Sequence, residues 1–66
     1  MDSQQIKQLR KGLGLSQEGL ARKLGMSYNS VYLWERGSHH PSPLALEKLK
    51  LIETELAEEV GSGTRE

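Results

Sequence analysis

The segment SYNSVYLWERG, residues 27–37, holds the side chains best suited to recognition chemistry. The amide of Asn29 can donate and accept hydrogen bonds together, which is the pattern needed to read the N6 and N7 edge of adenine. Tyr28 and Tyr32, four residues apart, can offer a hydroxyl to a phosphate or a ring to a thymine methyl group. The segment therefore predicts a recognition surface, provided that these side chains face outward.

The sequence gives little support for metal binding or catalysis. His39 and His40 are adjacent, and neighbouring histidines on a loop rarely point at one ion; no Asp, Glu or Cys at ligand spacing completes a metal site. A phosphate contact that strengthens at low pH is the favoured role for the two histidines. The sequence shows no glycine-rich phosphate loop and no nucleophile with an orienting base. We predict no metal, no cofactor and no enzymatic activity.

Composition restricts the class of protein further. The 66 residues allow one small domain, and the absence of cysteine excludes disulfides and thiolate metal sites. No apolar run is long enough to span a bilayer, so we expect a cytoplasmic, nucleoid-associated protein without membrane contact. The net charge is zero, but residues 1–40 carry six basic groups against three acids, and residues 41–66 carry the reverse. This asymmetry hints that the first part binds a polyanion.

The positions of glycine, serine and proline residues indicate the ends of four helices, and no strand is predicted. Ser16, Ser27 and Ser42 are typical N-caps, and Asp2 with Gln5 has the pattern of a capping box. The fourth helix starts at Pro43, runs to about Val60 and has a wide apolar stripe made of Leu44, Ala45, Leu49, Ile52, Leu56 and Val60. We predict a domain over 1–60 and a disordered tail over 61–66.

Only residues 25–27 separate the second and third helices, and so short a joint predicts a steep crossing of the helix-turn-helix type. Ala21 is small enough for the crossing point, and Gly25 tolerates a positive φ at the turn. Val31 and Trp34 can fill the space between the helices.

The residues SQEGLARKLGMSYNSVYLWERG resemble the helix-turn-helix of the phage-repressor and Cro family, also called the xenobiotic-response-element family. The resemblance covers about residues 4 to 56, and PSPLALEKLKLIE is similar to a short antitoxin-like branch. It implies an all-α, compact four-helix fold like the DNA-binding domain of lambda repressor. It also implies sequence-specific binding of double-stranded DNA by a transcriptional regulator, with repression as the expected effect.

Helical geometry at about 100° per residue separates the two sides of the third helix. With Val31 inward, Trp34 and Glu35 also face the interior. Asn29, Leu33 and Arg36 point away, and Tyr28 and Tyr32 lie on one flank.

Carried over residue by residue, the resemblance implies base contacts by Tyr28, Asn29, Tyr32 and Leu33. It implies contacts to the DNA backbone by a second set, Gln17, Ser16, Ser27, Ser30, Arg36 and Lys11. It further implies a structural ion pair between Arg10 and Glu35. The alternative for Tyr32 and Leu33 is an exposed apolar patch that binds a protein partner.

The far end of the fourth helix has two interpretations. Its apolar stripe either packs on the first helix or pairs with the same helix of a second subunit. We favour a homodimer, because palindromic DNA sites match a two-fold protein. The predicted interface residues are Ile52, Leu56 and Val60. The alternative function is an antitoxin-like module whose fourth helix binds a toxin-like partner protein.

Overall fold

The computed structural model describes the backbone of residues 1–65 and the side chains of residues 1–58. Over this backbone the chain forms four helices and no strand: α1 Ser3–Gly12, α2 Gln17–Leu24, α3 Tyr28–Arg36 and α4 Pro43–Arg65. The predicted all-α architecture is confirmed. Within residues 1–65, no helix combines the length and the hydropathy required to cross a bilayer.

Each helix begins at the polar cap that the sequence predicts. Asp2 and Gln5 form a reciprocal capping box, with the Gln5 N–H donating to Asp2 Oδ1 at 2.8 Å and the Asp2 N–H donating to Gln5 Oε1 at 2.9 Å. The hydroxyls of Ser16, Ser27 and Ser42 each accept a hydrogen bond from the backbone N–H three residues later. These local bonds satisfy N–H groups that have no partner within the helix.

The joint between α2 and α3 depends on Gly25. This residue ends α2 with a φ of 72°, in the left-handed region that other residues enter at a cost of about 1–2 kcal/mol. The Met26 N–H then donates to the Ala21 carbonyl at 2.9 Å and closes the end of the helix. The chain can therefore turn into α3 within three residues.

The core lies where the four helices meet. Val31 of α3 is fully buried and Trp34 is 6 % exposed, while Ala21 of α2 is 3 % exposed, as expected for a close crossing. The buried apolar set is Ile6, Leu9, Leu20, Ala21, Leu24, Val31, Trp34, Ala45, Leu49 and Ile52. The predicted inward side of α3 is confirmed, and it fixes which side of this helix stays in solvent.

Helix α4 differs from the prediction in two ways. Leu44, predicted in the core stripe, is 60 % exposed, because burial of Ala45 turns its neighbour about 100° away from the core. The helix also continues to Arg65, past the end predicted near Val60 and through most of the segment predicted as a disordered tail. The domain boundary at residue 60 stays a prediction. The predicted interface side chain of Val60 lies outside the described side chains.

Candidate nucleic-acid interface

A hydrogen-bond cluster beneath α3 ties three helices together. Arg10 of α1 donates to both carboxylate oxygens of Glu35, from Nε to Oε2 at 2.7 Å and from Nη2 to Oε1 at 3.0 Å. The third nitrogen, Nη1, donates to the Leu15 carbonyl at 3.0 Å. Gln17 of α2 donates from Nε2 to Glu35 Oε1 at 3.1 Å. The Arg10 and Glu35 side chains are thus committed to holding α3 in place, as the resemblance implies.

Burial of Glu35 raises its pKa, but the hydrogen bonds from Arg10 and Gln17 and the nearby charges of Arg10 and Lys7 outweigh that effect. The pKa of the carboxyl is therefore below its ordinary value, and hydrogen bonding to Glu35 raises the pKa of Arg10. Both groups are charged at neutral pH. A bidentate bond between them is stronger and more directional than a single contact.

We expect acid to weaken the fold through Glu35. Since the folded-state pKa lies below the ordinary value of 4.5, the unfolded chain takes up a proton first as the pH falls. The free energy of unfolding should decline once the pH falls to about 4.5, and this contribution should be lost as the pH passes the folded-state pKa. Urea unfolding at a series of pH values measures the decline, and Glu35→Gln should show a smaller one. An equal decline in this variant would assign the acid sensitivity to other carboxyls.

The outward side of α3 carries an ordered polar and aromatic ladder, which we define as Tyr28, Tyr32 and Arg36. The two tyrosine rings stack with their centroids 6.1 Å apart and their planes 25° apart. Arg36 Nη1 donates to the Tyr32 hydroxyl at 3.1 Å. Asn29 is exposed beside the ladder. These four side chains are exposed: Asn29 and Arg36 point away from the core residues, and Tyr28 and Tyr32 lie on one flank of α3.

Leu33 is the exception among the predicted base-contacting residues, because it is half-buried. The Ser38 and His39 N–H groups both donate to the Leu33 carbonyl, at 3.1 and 3.3 Å, and close the C-terminal end of α3. Its side chain lines a shallow hollow of about 250 Å³ together with Met26, Ser30, Trp34, His39, His40 and Ser42. Leu33 is therefore less exposed than its outward position on the helical wheel predicts.

Four of the six predicted backbone-contacting residues lie at the starts of α2 and α3, whereas Lys11 and Arg36 lie in the last turns of α1 and α3. The Ser16 hydroxyl caps α2, and the hydroxyls of Ser27 and Ser30 lie 3.1 Å apart at the start of α3. A serine hydroxyl that accepts a capping bond still has its own hydrogen to donate. Gln17 gives one amide hydrogen to Glu35, and the second remains for another acceptor. Arg36 and Lys11 are exposed.

His39 and His40 are both exposed on the loop before α4. Among the described side chains, no three His, Asp or Glu residues come together in a way that could hold a metal ion. The two imidazoles instead border the hollow beside Leu33, at the C-terminal end of α3.

The predicted dimer residues of α4 are placed differently from the expectation. Ile52 is 8 % exposed and belongs to the core of the single chain. Leu56 is half-buried and packs against the same core, where its Cδ2 lies 3.2 Å from the position a β-carbon on Gly12 would take. Side chains that are buried in the core of one chain have little surface left to contact a second chain. Ile52 is thus buried in the single chain, and its role at a dimer interface stays a prediction.

Sequence reasoning missed two contacts that join elements distant in the chain. It assigned Gln17 only a surface role, although this amide also bonds to Glu35. It did not single out Lys48, whose ammonium group donates to the Leu24 carbonyl at 3.2 Å and covers the C-terminal end of α2. A lysine near a helix C-terminus is a favourable arrangement, but only the packing of α4 shows which helix it serves.

Comparison with known proteins identifies the family. The family model described as helix-turn-helix matches residues 6–49. An uncharacterized HTH-type transcriptional regulator of Escherichia coli, YiaG, is 43 % identical over 49 residues in strains K12 and O157:H7. The match covers 74 % of this chain but 51 % of the relative, so the chain spans about half the length of the curated relatives it matches. No solved structure matches. The match over 6–49 confirms the predicted family, and the chain belongs to the helix-turn-helix family.

Proposed function

We propose that the protein is a transcriptional regulator that binds double-stranded DNA sequence-specifically, with α3 (28–36) inserted into the major groove. The observation that carries the proposal is the division of α3 into a fixed side, with Val31, Trp34 and Glu35, and a free side. The major groove, about 12 Å wide, admits one α-helix. The name of the E. coli relative, an HTH-type transcriptional regulator, supports the same function.

Asn29 is the residue we assign to direct base readout. Its amide can bond to N6 and N7 of adenine together, and no described hydrogen bond occupies it. We assign the rings of Tyr28 and Tyr32 to contacts with thymine methyl groups. Leu33, half-buried under the following loop, is proposed only as an apolar neighbour of the bases.

The ladder gives Arg36 a defined position for a phosphate contact. Its guanidinium bonds to the Tyr32 hydroxyl through Nη1 and has other N–H groups to donate. Ser16, Ser27, Ser30, Gln17 and Lys11 complete the proposed contacts to the DNA backbone. Free N–H groups and the positive dipole at the starts of α2 and α3 favour phosphates in the same place.

We propose repression as the regulatory effect and binding, without catalysis, as the activity. A domain that occupies the groove excludes other proteins from that stretch of DNA. A two-fold symmetric homodimer would match a palindromic site, with half-sites about one helical turn apart. Because DNA is the proposed partner, we propose that the protein lies in the cytoplasm with the nucleoid.

The test is a titration of a random-site duplex pool at about 50 and 200 mM salt, because phosphate contacts release counterions and make affinity fall steeply with salt. We expect binding at low salt, a strong loss at high salt and, for Arg36→Ala, a salt slope reduced by about one. Lys50→Ala, on an exposed part of α4, is the control and should keep the wild-type slope. The absence of any binding at low salt would contradict the proposal.

One observation favours the second candidate, an antitoxin-like module that binds a toxin-like protein through α4. Leu44 and Leu51, seven residues apart on one face of this helix, are 60 % and 62 % exposed, and exposed apolar residues that share a face can form a protein-binding surface. Binding to such a partner would depend on Leu51 and little on salt. Leu51→Ala should then abolish partner binding, whereas DNA binding by a single domain should be unaffected.

A further inference from the structure

His39 and His40, on the loop between α3 and α4, have no role in the proposed function. Both side chains are exposed. The backbone of this loop is attached to the end of α3, because the Ser38 and His39 N–H groups both donate to the Leu33 carbonyl. The two imidazoles therefore start from a backbone that is fixed beside the helix proposed to enter the DNA.

The imidazoles border the proposed DNA interface. They line the hollow of about 250 Å³ together with Ser30 and Leu33, which are proposed to contact the DNA backbone and to lie beside the bases. With Val31 inward and about 100° per residue, Ser30 lies on the flank of α3 opposite Tyr28. A helix in the major groove has a phosphate backbone along each flank. The hollow therefore lies on the flank that the tyrosines leave open.

The histidines are the source of charge at this hollow. In the described part of the chain, no other charged or titratable side chain lines it. Glu35, four residues before His39, is buried and bonded to Arg10, and the first turn of α4 has no acidic residue. Arg36, the nearest cation along the chain, is exposed. An imidazolium at this hollow thus has no carboxylate beside it, and its charge is available to a phosphate.

We propose that His39 and His40 contact phosphates of duplex DNA in their protonated form, so that DNA binding is coupled to proton uptake. The inference rests on the proposed function, in which α3 occupies the major groove. A phosphate beside an imidazole favours the charged form, and by linkage the charged form binds the phosphate more tightly. The affinity for DNA should therefore rise as the pH falls through the range in which histidine titrates.

The composition of the chain makes this coupling measurable. Histidine is the side chain whose charge ordinarily changes between pH 5 and 8, and the chain has two histidines and no cysteine. The contribution of Glu35 to stability declines only once the pH falls to about 4.5, which is below this range. A change in DNA affinity between about pH 7.5 and 5.5 therefore reports on His39 and His40.

The test is a titration of the random-site duplex pool at about pH 7.5 and 5.5, at low salt and with a chelator that excludes a bridging metal ion. We expect the affinity to be about 3- to 10-fold higher at the lower pH. The variant His39→Gln/His40→Gln should abolish this difference. The variant His39→Lys/His40→Lys should bind with the higher affinity at both pH values, because lysine stays charged in this range.

Arg36→Ala is the matched control, because it removes a proposed phosphate contact that does not titrate in this range. It should lower the affinity at both pH values and leave their ratio unchanged. Circular dichroism at both pH values verifies that each variant is folded. Calorimetry in two buffers of different ionisation enthalpy is an independent readout. It should show proton uptake when the wild-type chain binds DNA at about pH 6.5, and none for the double glutamine variant.

Equal affinities at the two pH values would overturn the inference. A pH difference that persists in the double glutamine variant would overturn it as well, since another group would then take up the proton. Either result would leave the proposed function in place, because the chain would still bind duplex DNA. The absence of binding at both pH values would contradict the proposed function, and with it this inference.

Discussion

Replacing Arg10 with methionine is expected to lower the free energy of unfolding by about 3–5 kcal/mol. The substitution leaves the carboxylate of Glu35, with a side chain only 2 % exposed, without its main partner. A chain of this length is stable by roughly 3–10 kcal/mol, so the variant should be largely unfolded or close to it at 25 °C. The effect is large because a buried charge that loses its partner retains its desolvation cost.

Urea unfolding followed by circular dichroism measures this loss. Arg22→Met is the matched control, because Arg22 is exposed on α2 and its replacement should change stability by less than about 0.5 kcal/mol. The double variant Arg10→Met/Glu35→Leu removes both charges and should recover most of the stability. A loss below about 1 kcal/mol for Arg10→Met would show that the ion pair does not hold the domain together.

Replacing Asn29 with alanine is expected to reduce discrimination between a selected DNA site and the random pool by about 1–3 kcal/mol, or roughly 5- to 150-fold. The amide carries the proposed donor and acceptor pair for adenine, whereas the phosphate contacts belong to other residues. Affinity for the random pool and the unfolding free energy should both stay near the wild-type values, since Asn29 is exposed.

Competition between the selected site and the pool measures this discrimination. Gln8→Ala, which removes an exposed amide from α1, is the control and should leave the ratio unchanged. If Asn29→Ala weakens binding to both DNAs equally, Asn29 contacts the backbone and not a base. If neither affinity changes, Asn29 lies outside the interface.

The sequence predicts the helices of this domain well because their starts are local features. Asp2, Ser16, Ser27 and Ser42 each bond within three residues, so the sequence alone contains both partners. The inward side of α3 is predictable for a similar reason, since the single buried residue Val31 fixes the orientation of its neighbours.

Contacts between segments that are distant in the chain are harder to predict from the sequence. Leu33 borders a hollow that it shares with residues of the following loop, and the second role of Gln17 depends on how α2 meets α3. On α4 the apolar residues occupy more than one side of the helix. Which side faces the core follows from the packing of the other helices, and for this reason Leu44 was wrongly predicted to lie in the core stripe.

The central claim, that the free side of α3 enters the major groove, is tested most directly by nuclear Overhauser effects in a complex with a selected duplex. We expect cross-peaks from side-chain protons of Tyr28, Asn29 and Tyr32 to thymine methyl protons, which lie in the major groove. Cross-peaks from these residues to adenine H2 protons in the minor groove, or DNA contacts made only by α4, would contradict the claim.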